Sequence, residues 1–492
     1  MSVSQAASLI STLNKLHEFL AQKNCRAYIV GGFIRDWFSG KQSNDVDIAV
    51  EGNALSIADE VSKNFNGRFV LLDEVNGIAR VIIDKEHERH FDFCSFSGNI
   101  ESDLVQRDFT IDAMAVELGQ LTEASQLNPL DPFHGRKDLE NKVIRAVSDQ
   151  VFANDAVRLL RGVRLAAEFD FTIEPTTETL IRLHCKSIAE VANERVREEL
   201  LRLFNLPHTA YYLHYLDKLG LLTAVVPELA ESKGVEQPTA HFWDVFEHSR
   251  QTVACAEFLI RENTWAYGNE EMLATTPWSD IIEAHLSQEV SGGSNRKSLL
   301  KLGALFHDIA KPKTKTLDDT GRARFLGHTK EGATMTASIL ERLRFSHREI
   351  DLVEKLVYHH LRPAQMSNEG LPTQRAIYRY FRDTGDAGID ILFLALADYL
   401  ASRGPLVNME AWRKNCQLAN YVLMEHGKQQ SRTAPLKFID GNDIMKTFYL
   451  TSGPLIGKLL AMVHEAQASG EISNKEEALA LVQNILKKKT IN

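Results

Sequence analysis

The sequence predicts an α+β protein: a small mixed sheet with helices at one end of the chain, followed by all-α segments. Three observations carry this. Short apolar, β-branched runs broken by turn residues cluster between residues 27 and 96. Beyond residue 148 the apolar residues recur at helical spacing instead. The composition, 44% hydrophobic and 25% charged over 492 residues, is that of a globular chain with material for about three domains.

Residues 4–23 set Leu9, Leu13, Leu16 and Leu20 near one face of an amphipathic helix. The run from Ala27 to Val30 stops at Gly31 and Gly32, the pattern of a buried strand ending in a tight turn. Two glycines let the backbone approach a phosphate. Apolar spacing from Phe33 to Phe38, closed by Gly40, predicts a helix whose N-terminal amides face that turn. From Asp45 to Val50 a second strand is predicted, with Asp45 and Asp47 on one face and Val46 and Ile48 on the other. Two carboxylates sharing a face need a cation, and hard oxygen ligands suit Mg²⁺ shared with substrate phosphates. A helix at 54–64, a hairpin of 68–73 with 78–83, and a strand at 89–96 follow. Alternation in that last strand makes Asp92 a candidate third acid.

No apolar run approaches the ~20 residues that span a bilayer, and the N-terminal residues lack a secretory pattern, so the expected location is cytoplasmic, with no membrane partner. The five cysteines have no paired spacing, which argues against a disulfide framework or zinc knuckle. A net charge of −10 gives nucleic-acid binding no support from composition; any such site must be a local basic patch.

GGFIRD at 31–36 followed by DVD at 45–47 resembles the signature of the polymerase-β-like nucleotidyltransferases, specifically the bacterial class II group of tRNA nucleotidyltransferases and poly(A) polymerases. The resemblance implies a head of that type and an all-α neck. Asp45 and Asp47 would hold Mg²⁺, Asp92 would complete the acids, and Gly31, Gly32 and Arg35 would belong to the nucleotide cradle. DLVQRDFTIDAMA at 103–115 resembles the second motif, RRDFTINAMA, with Gln106 replacing an arginine and Asp112 an asparagine. It implies Arg107 as a phosphate fork, Asp108 as a sugar-hydroxyl acceptor and Asp112 near the ribose. PLDPFHG at 129–135 resembles a DPFGG element, with His134 in place of a glycine. Residues 148–171 predict one helix carrying Asp155 and Arg158 at i and i+3. It resembles an EDxxR motif with Asn154 at the first acid, which implies that Asp155 and Arg158 read the base edge of incoming CTP or ATP. Arg161 and Arg164 continue this basic stripe as nucleotide-binding candidates. NERVREELLRL at 193–203 resembles a helix whose Arg195 and Arg197 brace the base-reading helix or contact RNA. The segment between Asp92 and Arg107 is short, and in the resembled group a shortened segment goes with addition of the two cytidines only.

A linker around Pro238 opens a further domain near residue 240. His248, the His307–Asp308 pair and Asp398 resemble the HD phosphohydrolase signature, with His328, His359 and His360 as further candidates. Mixed imidazole and carboxylate ligands suit a divalent transition metal that activates water against a phosphate ester. Adjacent His and Asp side chains reach one metal at a helix end, and Pro312 predicts that stop. SQEVSGGSNRK at 288–298 predicts a polar loop; helices resume beyond Arg403, break at 427–436, and end in a basic tail of Lys487, Lys488 and Lys489.

The expected organisation is a catalytic head at 1–150, a neck for base recognition and RNA binding at 151–235, an HD domain at 236–405 and a helical extension at 406–492. The expected reaction is attack of a tRNA 3′-hydroxyl on the α-phosphorus of CTP or ATP, adding all or part of a CCA end. The alternatives are a poly(A) polymerase, an HD phosphohydrolase whose head only binds nucleotide, and a non-enzymatic RNA-binding protein.

Overall fold

The computed structural model describes residues 3–41, 44–83, 89–120, 127–238, 240–366, 370–431 and 438–489. Thr239 of the expected linker, residues 432–436 of the expected helix break and the side chains of Lys488 and Lys489 lie outside the described residues. The chain divides into two compact units, 1–199 with 216–225, and 200–215 with 226–492.

The first unit opens with α1 (Val3–Ala21), β1 (Ala27–Val30), α2 (Gly32–Phe38), β2 (Asp45–Glu51), α3 (Ala54–Asn64), β3 (Arg68–Asp73), β4 (Ile78–Ile83) and β5 (Arg89–Phe96). Next come α4 (Ile100–Leu104), β6 (Ala115–Glu117), α5 (Gly135–Glu140) and β7 (Val143–Ile144). The six longer strands form one mixed sheet in the order β3-β4-β5-β2-β1-β6. Its two faces follow from the period of two along each strand. Ile29, Val46, Ile48, Phe91 and Phe93 point to the face covered by Leu9, Leu13 and Leu16 of α1 and by Ala58 and Val61 of α3. Val30, Ala49 and Phe96 point to the opposite face, where they pack with Ile100 and Leu104 of α4. Asp45 and Asp47 alternate in register with Ala49, so they share this second, less covered face.

The expected single helix at 148–171 is two helices, α6 (Val151–Asn154) and α7 (Arg158–Phe169). Asp155 between them is extended (φ −156°, ψ 104°). Its carboxylate accepts a 3.3 Å bond from the Val157 amide, a local side-chain turn that competes with the helical ladder. A two-residue β8 (Thr172–Ile173) then pairs in parallel with β7, and α8 (Pro175–His184), α9 (Asn193–Phe204), α10 (Thr209–Lys218) and α11 (Leu221–Val225) follow.

The second unit is helical. Helices Val245–Leu259, Arg296–Phe306, His347–His359 and Ala387–Arg403 pack on one another, and His328–Arg342 packs on His347–His359. The expected loop at 288–298 contains a small hairpin, Glu289–Ser291 with Ser294–Asn295. Asn295 then caps the helix Arg296–Phe306 through a reciprocal bond with Ser298. That helix ends at Phe306, ahead of the His–Asp pair; Pro312 sits in the first turn of the next short helix, Lys311–Thr314, and so starts an element rather than stopping one. The C-terminal helices Gly441–Phe448, Pro454–Ala468 and Lys475–Lys489 enclose their own core of Ile444, Leu459, Val463 and Val482. Among the described residues, no helix is long and apolar enough to cross a membrane.

Candidate active site and candidate metal centre

β2 and β5 run parallel with Asp47 directly beside Asp92 and Asp45 beside His90. Adjacent strands lie about 4.8 Å apart, so the acids predicted from separate segments meet on one patch. Gly31 closes over it. Its φ of 73° is left-handed, and a Cβ there would stand 2.8 Å from Asp47 Oδ2 and 3.2 Å from an Arg107 guanidinium nitrogen. Both the turn and the approach therefore require glycine. Burial pushes the Asp47 carboxyl up to about 6; Arg107 opposes that shift and Asp92 adds to it. A buried carboxylate with a second acid as neighbour is the donor set a divalent cation satisfies.

Arginines hold most of the other predicted acids. Arg80, on β4, donates to both oxygens of Asp92 at 2.7 and 2.8 Å. His90 Nδ1 lies 2.8 Å from Asp45 Oδ1. Arg35 turns inward, with Nη1 2.6 Å from Asp112 Oδ1 and a further contact to Asp36. Burial raises the Asp112 carboxyl and Arg35 opposes this. Asp108 pairs with Arg161 at 3.0 Å; burial disfavours its charge, but Arg161 and Arg158 outweigh burial and hold its pKa below the usual value. Arg107 is braced by Asp103 at 2.9 Å. Arg164 is taken up by Glu168 and, at 2.6 Å, Glu199. Gly32 begins α2 and contributes backbone only.

Asp155 and Arg158 are 3.9 Å apart. Arg195 of α9 grips both Asp155 oxygens at 3.0 and 2.7 Å, while Arg158 donates to the Gln106 carbonyl at 2.8 Å.

In the second unit His248, His307, Asp308, His328, His360 and Asp398 converge. His248 Nε2 is 3.2 Å from His307 Nε2, 3.4 Å from Asp308 Oδ2 and 3.1 Å from Asp398 Oδ1. On the other side of Asp308, Oδ1 faces His328 Nε2 at 3.5 Å and His360 Nε2 at 3.8 Å. Burial, and then His307, hold the His360 imidazole down to about 3, which keeps it neutral. Asp308 is held low: burial opposes ionisation, but His307 and Lys311 outweigh it. His328 Nε2 is buried without a hydrogen-bond partner among the described residues. Donors of this kind aimed at one centre fit a divalent cation, and His248–His307–Asp308 and Asp308–His328–His360 each bring three ligand atoms within 4.8 Å. His359 is not in either group; its ring packs edge-on against Tyr358.

Three family descriptions match this chain: the poly A polymerase head domain at 27–145, a probable RNA and SrmB-binding site of polymerase A at 170–233, and the HD domain at 245–403. The A-adding tRNA nucleotidyltransferase of Deinococcus radiodurans is 32% identical over 463 residues, covering 93% of this chain and 95% of that protein. The chain belongs to the tRNA nucleotidyltransferase family. The CC-adding tRNA nucleotidyltransferase of Thermus thermophilus is 31% identical and covers 93% of each protein. The fold is also that of the Thermotoga maritima CCA-adding enzyme solved with tRNA, with a TM-score of 0.62, 22% identity, and 97% and 96% of the two chains covered. Metal dependence is general among such heads and HD domains, and the two groups around Asp308 could hold a divalent ion.

As a member of this family the chain carries site neighbours that motif reading alone missed. Arg80 and His90 touch two of the three acids; His90 was legible, being two residues before Asp92 on the same strand face, whereas Arg80 had only its cross-strand register to mark it. Lys311 lies 2.6 Å from Asp308 Oδ2, at i+3. His241, seven residues before His248, stacks edge-on against it.

Proposed function

We propose that this protein is a template-independent nucleotidyltransferase that extends the 3′ end of tRNA with cytidines from CTP, ATP being the donor if the terminal adenosine is also added. The observation that carries this is the shared face of Asp45, Asp47 and Asp92 beneath Gly31 and Arg107. Asp45 and Asp47 hold Mg²⁺, which supplies charge neutralisation for the triphosphate and activation of the attacking hydroxyl. Arg107 takes a phosphate, and Asp108, fixed by Arg161, accepts from a sugar hydroxyl. Arg80 fixes Asp92, which makes that acid a positioning group rather than a base. Arg158 and Asp155 read the base edge, with Arg195 setting the Asp155 plane; a guanine would leave these half-buried groups mispaired, which disfavours it. Arg35, Asp112 and Arg164 support the cradle from behind.

Addition of CC rather than CCA is favoured by the short link between β5 and Arg107, which holds only the five-residue α4. The head at 1–150 does the chemistry, the neck at 151–235 chooses the base, and the protein works in the cytoplasm. Incubation with Mg²⁺ and tRNAs ending at the discriminator base, at C or at CC, given CTP, ATP or both, tests this. Extension by two cytidines and no further is expected; failure to extend any tRNA would refute the assignment, and a long adenosine tail would assign a poly(A) polymerase instead.

The HD cluster at 236–405 favours a second activity, hydrolysis of a phosphate ester with a divalent transition metal held by His248, His307, Asp308 and Asp398. Loss of phosphatase activity in His307→Ala with retention in Asp47→Ala assigns it there.

A further inference from the structure

Outside both clusters, the first unit carries a pocket of about 440 Å³, within the roughly 300–1,000 Å³ common for small-ligand sites. Three chain segments build it. The end of α2 and the residues after it supply Phe38 and Lys41, α5 and the turn after it supply Arg136 and Lys142, and the end of α7 and the link to β8 supply Phe169 and Phe171. Cations and rings alternate: the Arg136 guanidinium lies 5.2 Å from the Phe38 centroid and Lys41 Nζ 3.6 Å from that of Phe169. The acid at the rim, Glu140, is 3.4 Å from Arg136. In a chain of net charge −10, this is a local basic patch of the kind RNA binding requires.

Lys142 supplies an independent sign. Its φ of 58° is the left-handed position that ends a helix, where glycine or asparagine sits without strain. The Lys142 carbonyl accepts from the Thr172 amide at 2.9 Å, so the turn brings Lys142 to the mouth of the β7–β8 ladder, next to Phe171. A lysine in a left-handed conformation thus lines the same pocket as the half-buried Phe171 ring. Arg35 stands between the pocket and the acids: its guanidinium covers Phe169 at 4.5 Å while its Nη1 holds Asp112.

We propose that this pocket is a secondary RNA subsite, taking one unpaired nucleotide of the substrate away from the 3′ end being extended. The base stacks on Phe38 and Phe171, and flanking phosphates meet Lys142, Arg136 and Lys41. This rests on the reading that the substrate is RNA.

The test measures tRNA affinity against salt concentration, CTP affinity and melting temperature in full-length Lys142→Gly and Phe171→Leu. For Lys142→Gly, the slope of log affinity on log salt falls by about 0.7–0.9, while the melting temperature rises because glycine relaxes the turn. Phe171→Leu binds tRNA about 10-fold more weakly with an unchanged slope. CTP affinity and the rate at saturating tRNA stay at wild-type values in both. Variants that bind tRNA as tightly as a tRNA-binding wild type overturn the subsite alone; a wild type that binds no tRNA overturns the RNA reading with it. A parallel loss of CTP affinity, or competition for the pocket by free CMP at concentrations that leave tRNA unbound, would make it a mononucleotide site and refute the proposal.

Discussion

Replacing Asp47 by asparagine should abolish nucleotidyl transfer and yet stabilise the metal-free protein. The carboxyl sits at about 6 in the folded chain against 3.8 for a free aspartate side chain, because burial and Asp92 disfavour its charge more than Arg107 favours it. The folded state therefore binds this proton more tightly than the unfolded state does. Stability held below pH 3.8 is lost progressively as pH rises to about 6, and the deficit is constant above that. Two pH units correspond to about 3 kcal/mol; partial solvent access reduces this to about 1–2 kcal/mol. Asparagine keeps the shape and carries no charge, so the deficit disappears. Trp37 is the only tryptophan of the first unit, so ¹⁹F NMR of 5-fluorotryptophan-labelled protein in guanidinium with EDTA follows that unit alone. At pH 7.5 the Asp47→Asn midpoint should lie above wild type by that amount, and at pH 4 the difference should shrink to a few tenths of a kcal/mol. Equal midpoints at pH 7.5, or a variant less stable than wild type, would mean that Asp47 is not held against its charge and that the cation-binding argument fails.

Gly31→Ala should lower kcat at least ~100-fold and destabilise the first unit by about 1–2 kcal/mol, because the new methyl enters a left-handed position and meets Asp47; an active, stable alanine variant would remove the close approach from the account. Arg80→Ala frees both oxygens of Asp92 beside Asp47, so Mn²⁺ affinity measured by EPR should tighten about threefold or more, whereas weaker binding would show Arg80 to be an organiser of the metal ligands themselves. Asp308→Asn should empty the HD centre of metal by elemental analysis and leave tRNA extension within about twofold of wild type, since the substitution alters a donor set that no residue of the transfer site shares. Arg195→Ala should relax the choice between CTP and UTP, read as the ratio of their kcat/KM values, by about 10-fold with little effect on stability, because Arg195 is half exposed and fixes the plane of Asp155.

What was legible in the sequence is what period and punctuation encode. The hairpin of β3 and β4, helix α3 and strand β5 fall at the residues their alternation predicted, and the common face of Asp45 and Asp47 follows from the period of two alone. Signals that fail are those in which a side chain overrides its neighbours' propensity. Asp155 breaks a run of helically spaced apolar residues by bonding the Val157 amide, and Pro312 marks the start of a helix because the previous one has already ended at Phe306. The partners were unevenly legible: Arg80 reaches Asp92 across strands with no signal of its own, whereas Arg195, which the resemblance gave as bracing the base-reading helix or contacting RNA, reaches Asp155 over 40 residues. Those partners change the reading of the site. With Asp92, Asp108, Asp112 and Asp155 each held by an arginine, the resting head is balanced by fixed cations, and Asp47, pushed towards neutrality by burial, is left as the acid for which a metal offers the largest gain. A nucleotide arriving with its cation therefore meets a carboxylate whose charge burial disfavours, while the arginines around it are already aimed.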